Sequence, residues 1–296
     1  MNNSHEIEHA LLTHLLSRVA LEEEIQRNTT DPFPKENELE KFSRADSSIE
    51  AIVNYLFTRR QNMFINVFYR YMESGNLKNP LVIRPWLFPE EMLYDALSSE
   101  AGTHTVFIVG AHHGSEVARF SDLASVQECV LFEPVPDNFK VLCDKVRHLG
   151  KYVHAIEAAI SDTIGSLNFY DSTNQGNGSL LAPTNFEKEQ FGTEIKEIIS
   201  VDSITLDFYC SISQIFPTVL WIDVQGAEMH VIRGSGLALR DCIYIYIEVS
   251  VWRGLYSGGS CLLDIDKFLN SLGYLCIQLG TDLGNGTGNA LYKRKS

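Results

Sequence analysis

From Thr103 onward, short apolar β-rich runs alternate with helical segments, and this alternation limits the architectures available to the chain. The run Thr105-Val-Phe-Ile-Val109 precedes a helix from about Ser115, and Glu128-Cys-Val-Leu-Phe132 precedes a helix over residues 138–148. A third run, Tyr152-Val-His-Ala-Ile156, leads into Ala158-Ala-Ile-Ser-Asp162. Val219-Leu-Trp-Ile222 stops at Asp223, turns at Gln225-Gly226 and enters a short helix carrying Glu228, His230 and Arg233. Residues 242–249 form a long strand, residues 264–272 a helix ended by Gly273, and residues 274–279 and 290–293 the last two strands around a Gly/Asn-rich turn. Runs of this length alternating with helices imply a mostly parallel sheet with helices on both faces, and the final pair an antiparallel edge. Between Asp162 and Val219, residues 166–170, the turn at 176–178 and residues 198–206 read as hairpins or short excursions.

Residues 1–100 have a different character and read as a helical extension ahead of a domain over 101–296. Residues 6–27 carry apolar positions at helical spacing, Pro32 and Pro34 mark a linker, and Ser47-Ser-Ile-Glu50 opens a long helix with capping-box spacing. A further helix starts at Pro89-Glu-Glu-Met-Leu. Such an extension would cover a cleft, form a homodimer, or both.

Bulk composition narrows the partners. Lys and Arg number 24 against 38 Asp and Glu, a formal net charge of −14, which opposes a phosphate backbone and argues against a nucleic-acid partner. The first residues lack the basic and apolar regions of a signal peptide, and no apolar run reaches membrane-spanning length. The six cysteines are scattered with no Cys-x-x-Cys pair, which argues against a zinc site or a disulfide framework. The expected setting is cytoplasmic.

Two features point to a nucleotide-like ligand. Gly110-x-x-x-Gly114 lies between a strand and a helix, where glycines admit close backbone approach and a helix start offers free N–H groups. Glu133 ends the next strand, where a carboxylate can accept both hydroxyls of a ribose. Nicotinamide and S-adenosyl-L-methionine (SAM) enzymes both satisfy this pair. The loop is not Gly-x-Gly-x-x-Gly, and phosphate-loop, Gly-x-Ser-x-Gly and His-Glu-x-x-His motifs are absent.

In order along the chain, Phe107-Ile-Val-Gly-Ala-His-His-Gly114, Phe132-Glu-Pro-Val-Pro-Asp-Asn-Phe139, Ala158-Ala-Ile-Ser-Asp162, Ser203-Ile-Thr-Leu-Asp207 and Ile222-Asp-Val-Gln-Gly-Ala-Glu228 resemble the successive motifs of the FkbM-type SAM-dependent methyltransferases. The resemblance covers about residues 103–294. It implies a class I, Rossmann-like α/β fold with seven strands ordered 3-2-1-4-5-7-6, the last antiparallel. It implies that Gly110, Ala111, His112 and Gly114 pass under the methionine part of SAM. Glu133 and Pro134 would serve the ribose, Ala159 and Asp162 the adenine, and Asp223 the methyl end. Two positions depart from the family pattern: Ile108 stands where an Asp is usual, and His112 where an Asn is usual.

The activity so implied is methyl transfer to a small-molecule hydroxyl, on a sugar or a secondary metabolite. Such an acceptor must be aligned and must lose a proton. The candidate groups are Asp223, Glu228, His230 and Glu248, with Asp223 and Glu248 expected on neighbouring strands. The same carboxylates could hold a divalent cation instead, although no metal is predicted. Glu228 also reads as a cap on its own helix, and His230 as an ordinary surface histidine. Two rivals stay open: a nicotinamide-dependent oxidoreductase or epimerase, and a non-catalytic binding or scaffold protein, for which Ile108 is the main argument.

Overall fold

The computed structural model describes residues 89–149, 152–173, 176–250, 254–280 and 287–295. The helices expected within residues 1–75, and any dimer contacts they make, lie outside the described residues. The first described element, helix α1 (Pro89–Ser99), sends Leu93, Tyr94 and Leu97 into a core cluster with the sheet. The sequence grouped this helix with the N-terminal segment; its apolar face packs with the residues that follow.

Strand β1 (His104–Val109) is central. It pairs in parallel with β2 (Val126–Phe132) on one side and with β7 (Val219–Ile222) on the other. Beyond β2 lies β3 (Tyr152–Ile156), also parallel, and beyond β7 lies parallel β8 (Tyr244–Ser250). The final strand β10 (Thr287–Arg294) inserts antiparallel between β8 and β9 (Tyr274–Leu279). The resulting order, β3-β2-β1-β7-β8-β10-β9, is the seven-stranded arrangement 3-2-1-4-5-7-6 once the three inserted strands described below are left out of the count. A strand buried on both faces needs apolar residues at every position, and β7 is buried throughout.

The two faces of β1 enter different cores. Val106 and Ile108 join Leu93, Phe120 and Trp221 under α1 and helix α2 (Val117–Asp122). Phe107 makes edge contacts with Phe132 and Tyr209 on the opposite face, at centroid distances of 5.8 and 5.6 Å. Helix α3 (Pro136–Val146) links β2 to β3, with Pro136 supplying a preset φ at its first turn.

The region read as hairpins between Asp162 and Val219 is more organised than the sequence suggested. Strands β4 (Ala159–Ile160), β5 (Gly165–Ser172) and β6 (Ile195–Ile204) make a second sheet of order β4-β6-β5, with Val135, Ala159, Phe169 and Val201 forming a small core. Helices α4 (Asn185–Phe191) and α5 (Leu206–Ser213) were not anticipated. Both start at threonines whose hydroxyls accept a backbone N–H three residues on: Glu187 to Thr184 at 3.3 Å and Phe208 to Thr205 at 2.9 Å. Helix α6 (Glu228–Arg233) follows β7, and α7 (Leu262–Ser271) precedes β9. No helix among the described residues is long and apolar enough to cross a membrane.

Candidate active site

Two clefts open at the carboxyl ends of the central strands, the location where open α/β sheets collect ligands. The first, ≈ 600 Å³ including its open mouth, is lined by Gly110 and His112 after β1, Glu133 and Pro134 after β2, Ala159 of β4, and Asp223 after β7. The second, ≈ 730 Å³ on the same basis, is lined by Gln225, Gly226 and Glu228, by Glu248 of β8, and by residues of α4 and of the stretch 254–260. The turn 223–226 is their common wall.

In the first cleft, Gly110 has φ +83°, and a Cβ there would fall 1.8 Å from the carbonyl oxygen of Asp223. Only glycine allows the β1 and β7 loops to approach so closely. His112 also takes a positive φ, 45°, in a region where Asn, Asp and His are the tolerated non-glycine residues. The substitution of His for the family's Asn therefore preserves the backbone turn. Its N–H donates to Glu133 Oε2 at 2.8 Å, while Glu133 Oε1 accepts from the N–H of Val135 at 3.0 Å. Glu133 is 4% exposed, and burial raises its pKa against the opposing pull of those N–H donors. An ionised carboxylate offers about four lone-pair positions, so Oε2 retains capacity for a ligand hydroxyl. The His112 ring stacks on His113 at 3.8 Å with its Nε2 buried and without a partner. Burial, then the neighbouring His113, hold its pKa low, which favours the neutral ring.

Ala111 and Gly114 stand apart from this cleft. The Ala111 N–H donates to the Phe132 carbonyl at 2.9 Å. The space beside Gly114 is taken by the Leu142 side chain of α3, 2.6 Å from where a Cβ would be. Ile108 is fully buried in the core and lines neither cleft.

At the common wall, Gln225 joins two carboxyl groups. Its Nε2 donates to Asp223 Oδ1 at 2.8 Å and to Glu248 Oε2 at 2.7 Å, and Tyr256 OH donates to its Oε1 at 3.4 Å. Burial raises the Asp223 pKa, while the contact with Gln225 and then the nearby Glu248 moderate the rise. Two carboxyls held by one amide nitrogen repel each other when both are ionised, which favours a single proton on the pair. The arrangement can therefore accept one proton near a neutral operating pH more readily than isolated carboxylates can.

Glu228 is used differently. Its Oε1 accepts from the N–H groups of Gly226 at 2.9 Å and Val224 at 3.4 Å, closing the turn ahead of α6. Burial pushes its pKa up to about 7. His230 and Asp162 line neither cleft; they pair with each other, Nδ1 to Oδ1 at 3.1 Å, both about one-third exposed. Burial opposes ionisation of Asp162, and the His230 contact outweighs it, lowering the Asp162 pKa. Among the described residues no group of three or more His, Cys, Asp or Glu is placed to hold a metal ion.

Sequence reasoning assigned no role to Gln225, although it sits inside a recognised motif, and it missed Phe169, Asp171 and Leu180 in the first cleft and Glu187, Tyr256 and Ser260 in the second. A helix or strand pattern around these positions carries no sign that they converge.

A model of the methyltransferase FkbM domain family matches residues 109–276. The 2-O-methyltransferase NoeI of Sinorhizobium fredii is 32% identical over 158 residues, covering 51% of this chain and 64% of the relative, so the chain spans less than two thirds of that protein's length. Among solved structures, a methyltransferase FkbM from Methylobacillus flagellatus matches with TM-score 0.46 at 14% identity, over 86% of this chain and 60% of that one. An rRNA methylase from Streptococcus thermophilus matches with TM-score 0.41 at 10% identity, over 71% of this chain and 99% of that one.

Proposed function

Since the chain belongs to the FkbM methyltransferase family, we propose that it is a SAM-dependent O-methyltransferase whose acceptor is a small-molecule hydroxyl, on a sugar or a secondary metabolite. The observation that carries this reading is the common wall: Asp223 lines the first cleft, and two residues on Gln225 lines the second beside Glu248. A donor in one cleft and an acceptor in the other would meet at a proton-sharing carboxyl pair.

The first cleft fits SAM chemically. Glu133 would take the ribose hydroxyls with the lone pairs its N–H partners leave free, Gly110 would permit close approach of the backbone, and Pro134 and Ala159 would border the nucleoside. When bound, SAM supplies a methyl group activated on a sulfonium. The residues of this chain then orient the acceptor and remove its proton. The Asp223–Glu248 pair would accept the proton that the acceptor hydroxyl loses as its oxygen gains the methyl. Gln225 fixes both carboxyls, and alignment of this kind supplies much of the rate in a displacement. Ile108, the argument for a non-catalytic protein, is buried in the core and lines neither cleft.

Calorimetry separates the readings. SAM and S-adenosylhomocysteine should each give heat and NAD none, and Glu133→Ala should weaken S-adenosylhomocysteine binding by about tenfold or more, roughly 1.4 kcal/mol. Binding of NAD alone would overturn the proposal; unchanged affinity in Glu133→Ala would overturn the ribose assignment.

A further inference from the structure

The second cleft contains two buried polar atoms that the fold leaves unsatisfied. Glu187 is 2% exposed; its Oε1 accepts from the Thr193 hydroxyl at 2.5 Å, but its Oε2 is buried without a partner. Ser260 Oγ, on the segment between β8 and α7, is likewise buried and unpartnered. Both residues line the same cleft, although they come from segments more than seventy positions apart. A buried hydrogen-bonding atom with no partner costs about 1–3 kcal/mol, and such atoms call for an explanation. Gln225, on the same wall, is bonded to both carboxyls and to the Tyr256 hydroxyl. Glu187 and Ser260 are thus left with hydrogen-bonding capacity that the folded chain does not use.

Resting on the transferase reading above, we infer that Glu187 Oε2 and Ser260 Oγ are contacts for the acceptor, and that this acceptor is a polyhydroxyl molecule without an anionic group. A carboxyl oxygen can accept a hydrogen bond, so a ligand that brings a donor such as a hydroxyl completes Oε2. An apolar acceptor would leave both atoms orphaned, a mismatch that polar sites reject strongly. A phosphorylated or carboxylated acceptor would place an anion beside three carboxyl groups, Glu187, Glu228 and Glu248, with no Lys, Arg or His among the described residues lining the cleft to balance it. Each orphan atom calls for a polar contact beyond the hydroxyl presented to the carboxyl pair, and a polyhydroxyl ligand supplies these.

This predicts a signature that a purely structural role would not give. Removing an unsatisfied buried hydroxyl relieves the free protein of a cost, so Ser260→Ala should melt at the same temperature as the parent or higher, while binding its acceptor more weakly. The test uses the full chain saturated with S-adenosylhomocysteine and saturation-transfer NMR with three probes: methyl β-D-glucopyranoside, glucose 6-phosphate and cyclohexanol. The glucoside should bind and the other two should give little or no signal. Ser260→Ala and Glu187→Gln should each weaken glucoside binding by about tenfold, with S-adenosylhomocysteine affinity unchanged within about twofold. Stronger binding of the phosphate or of cyclohexanol, absence of glucoside binding, or variants that melt lower yet keep glucoside affinity would each overturn the inference. Failure to bind S-adenosylhomocysteine would instead mark failure of the transferase reading, so the two failures are distinguishable.

Discussion

The two clefts on either side of the 223–226 turn are built in opposite ways. The first is made at strand ends, where Gly110, Glu133 and Asp223 follow β1, β2 and β7, and its key carboxylate is already held by backbone N–H groups. The second is assembled from α4, the turn after β7, β8 and the segment 254–260, and it keeps polar atoms without partners. A site whose carboxylate is fixed before a ligand arrives suits a constant cofactor. One that keeps orphan groups suits a ligand whose own hydroxyls complete it. On the proposed reading, the donor side would be set by the framework and the acceptor side by insertions and loops.

Paired glycine substitutions probe that difference most severely. Gly110→Ala places a Cβ against a backbone carbonyl that cannot move aside, at a positive φ. It should lower stability by roughly 3 kcal/mol or more and abolish S-adenosylhomocysteine binding, as read by denaturant unfolding and calorimetry. Gly226→Ala is strained as well, with φ +95° and the new Cβ 2.4 Å from Tyr256 Cδ2 and 2.9 Å from its Cβ, but the clash falls on a side chain of the second cleft and not on the contact between the β1 and β7 loops. That variant should fold and bind S-adenosylhomocysteine while losing most methyl transfer, because Tyr256 would be displaced from Gln225. If both variants lost cofactor binding equally, the clefts would not be separable units.

A smaller effect concerns Glu228, which serves the wall between the clefts. Its folded pKa is raised from 4.5 to about 7. The stability it contributes is therefore complete below about pH 4.5 and is lost as pH rises through about 7, by up to about 3 kcal/mol. Glu228→Gln keeps an oxygen for the Gly226 N–H and removes the ionisation. Its unfolding free energy, measured between pH 5 and pH 8, should fall less than that of the parent; parallel curves would show that Glu228 gives no such dependence. The smallest effect is expected at His230, whose ion pair with Asp162 is partly exposed and outside both clefts. His230→Ala should cost less than about 1 kcal/mol and leave kcat within about twofold. A tenfold loss in kcat would bring α6 into the chemistry and blur the division between the two sites.

The legible parts of this protein are those governed by local pattern. Strand–helix alternation marked each strand of the large sheet, because burial on both faces demands continuous apolar runs, as in Val219–Ile222. Gly110, Glu133 and Asp223 were legible because each sits at a strand end inside a short motif. Glu228 was legible as a cap because its partners, Val224 and Gly226, are four and two residues away. Residues 166–170, 176–178 and 198–206 were read only as hairpins or excursions: the second sheet is stabilised by pairing of β5 with β6 and by a small core that includes distant Val135, and no local period records such contacts.

What the tertiary structure alone decided is which chemically plausible side chains share a space. His230 lies three residues from Ala227 on the right motif but on a helix face that meets Asp162, whereas Glu187, unremarked in the sequence, reaches the second cleft. Gly114, taken with Gly110 as part of one ligand loop, has its open side filled by Leu142. Sequence determines the backbone path through the periodicity of burial and the conformational demands of residues such as Gly110. The meeting of Gln225 with Glu248, and the placement of Glu187 and Ser260 on one cleft, depend on long-range packing, where the energy resides in contacts between segments that no window of the chain contains.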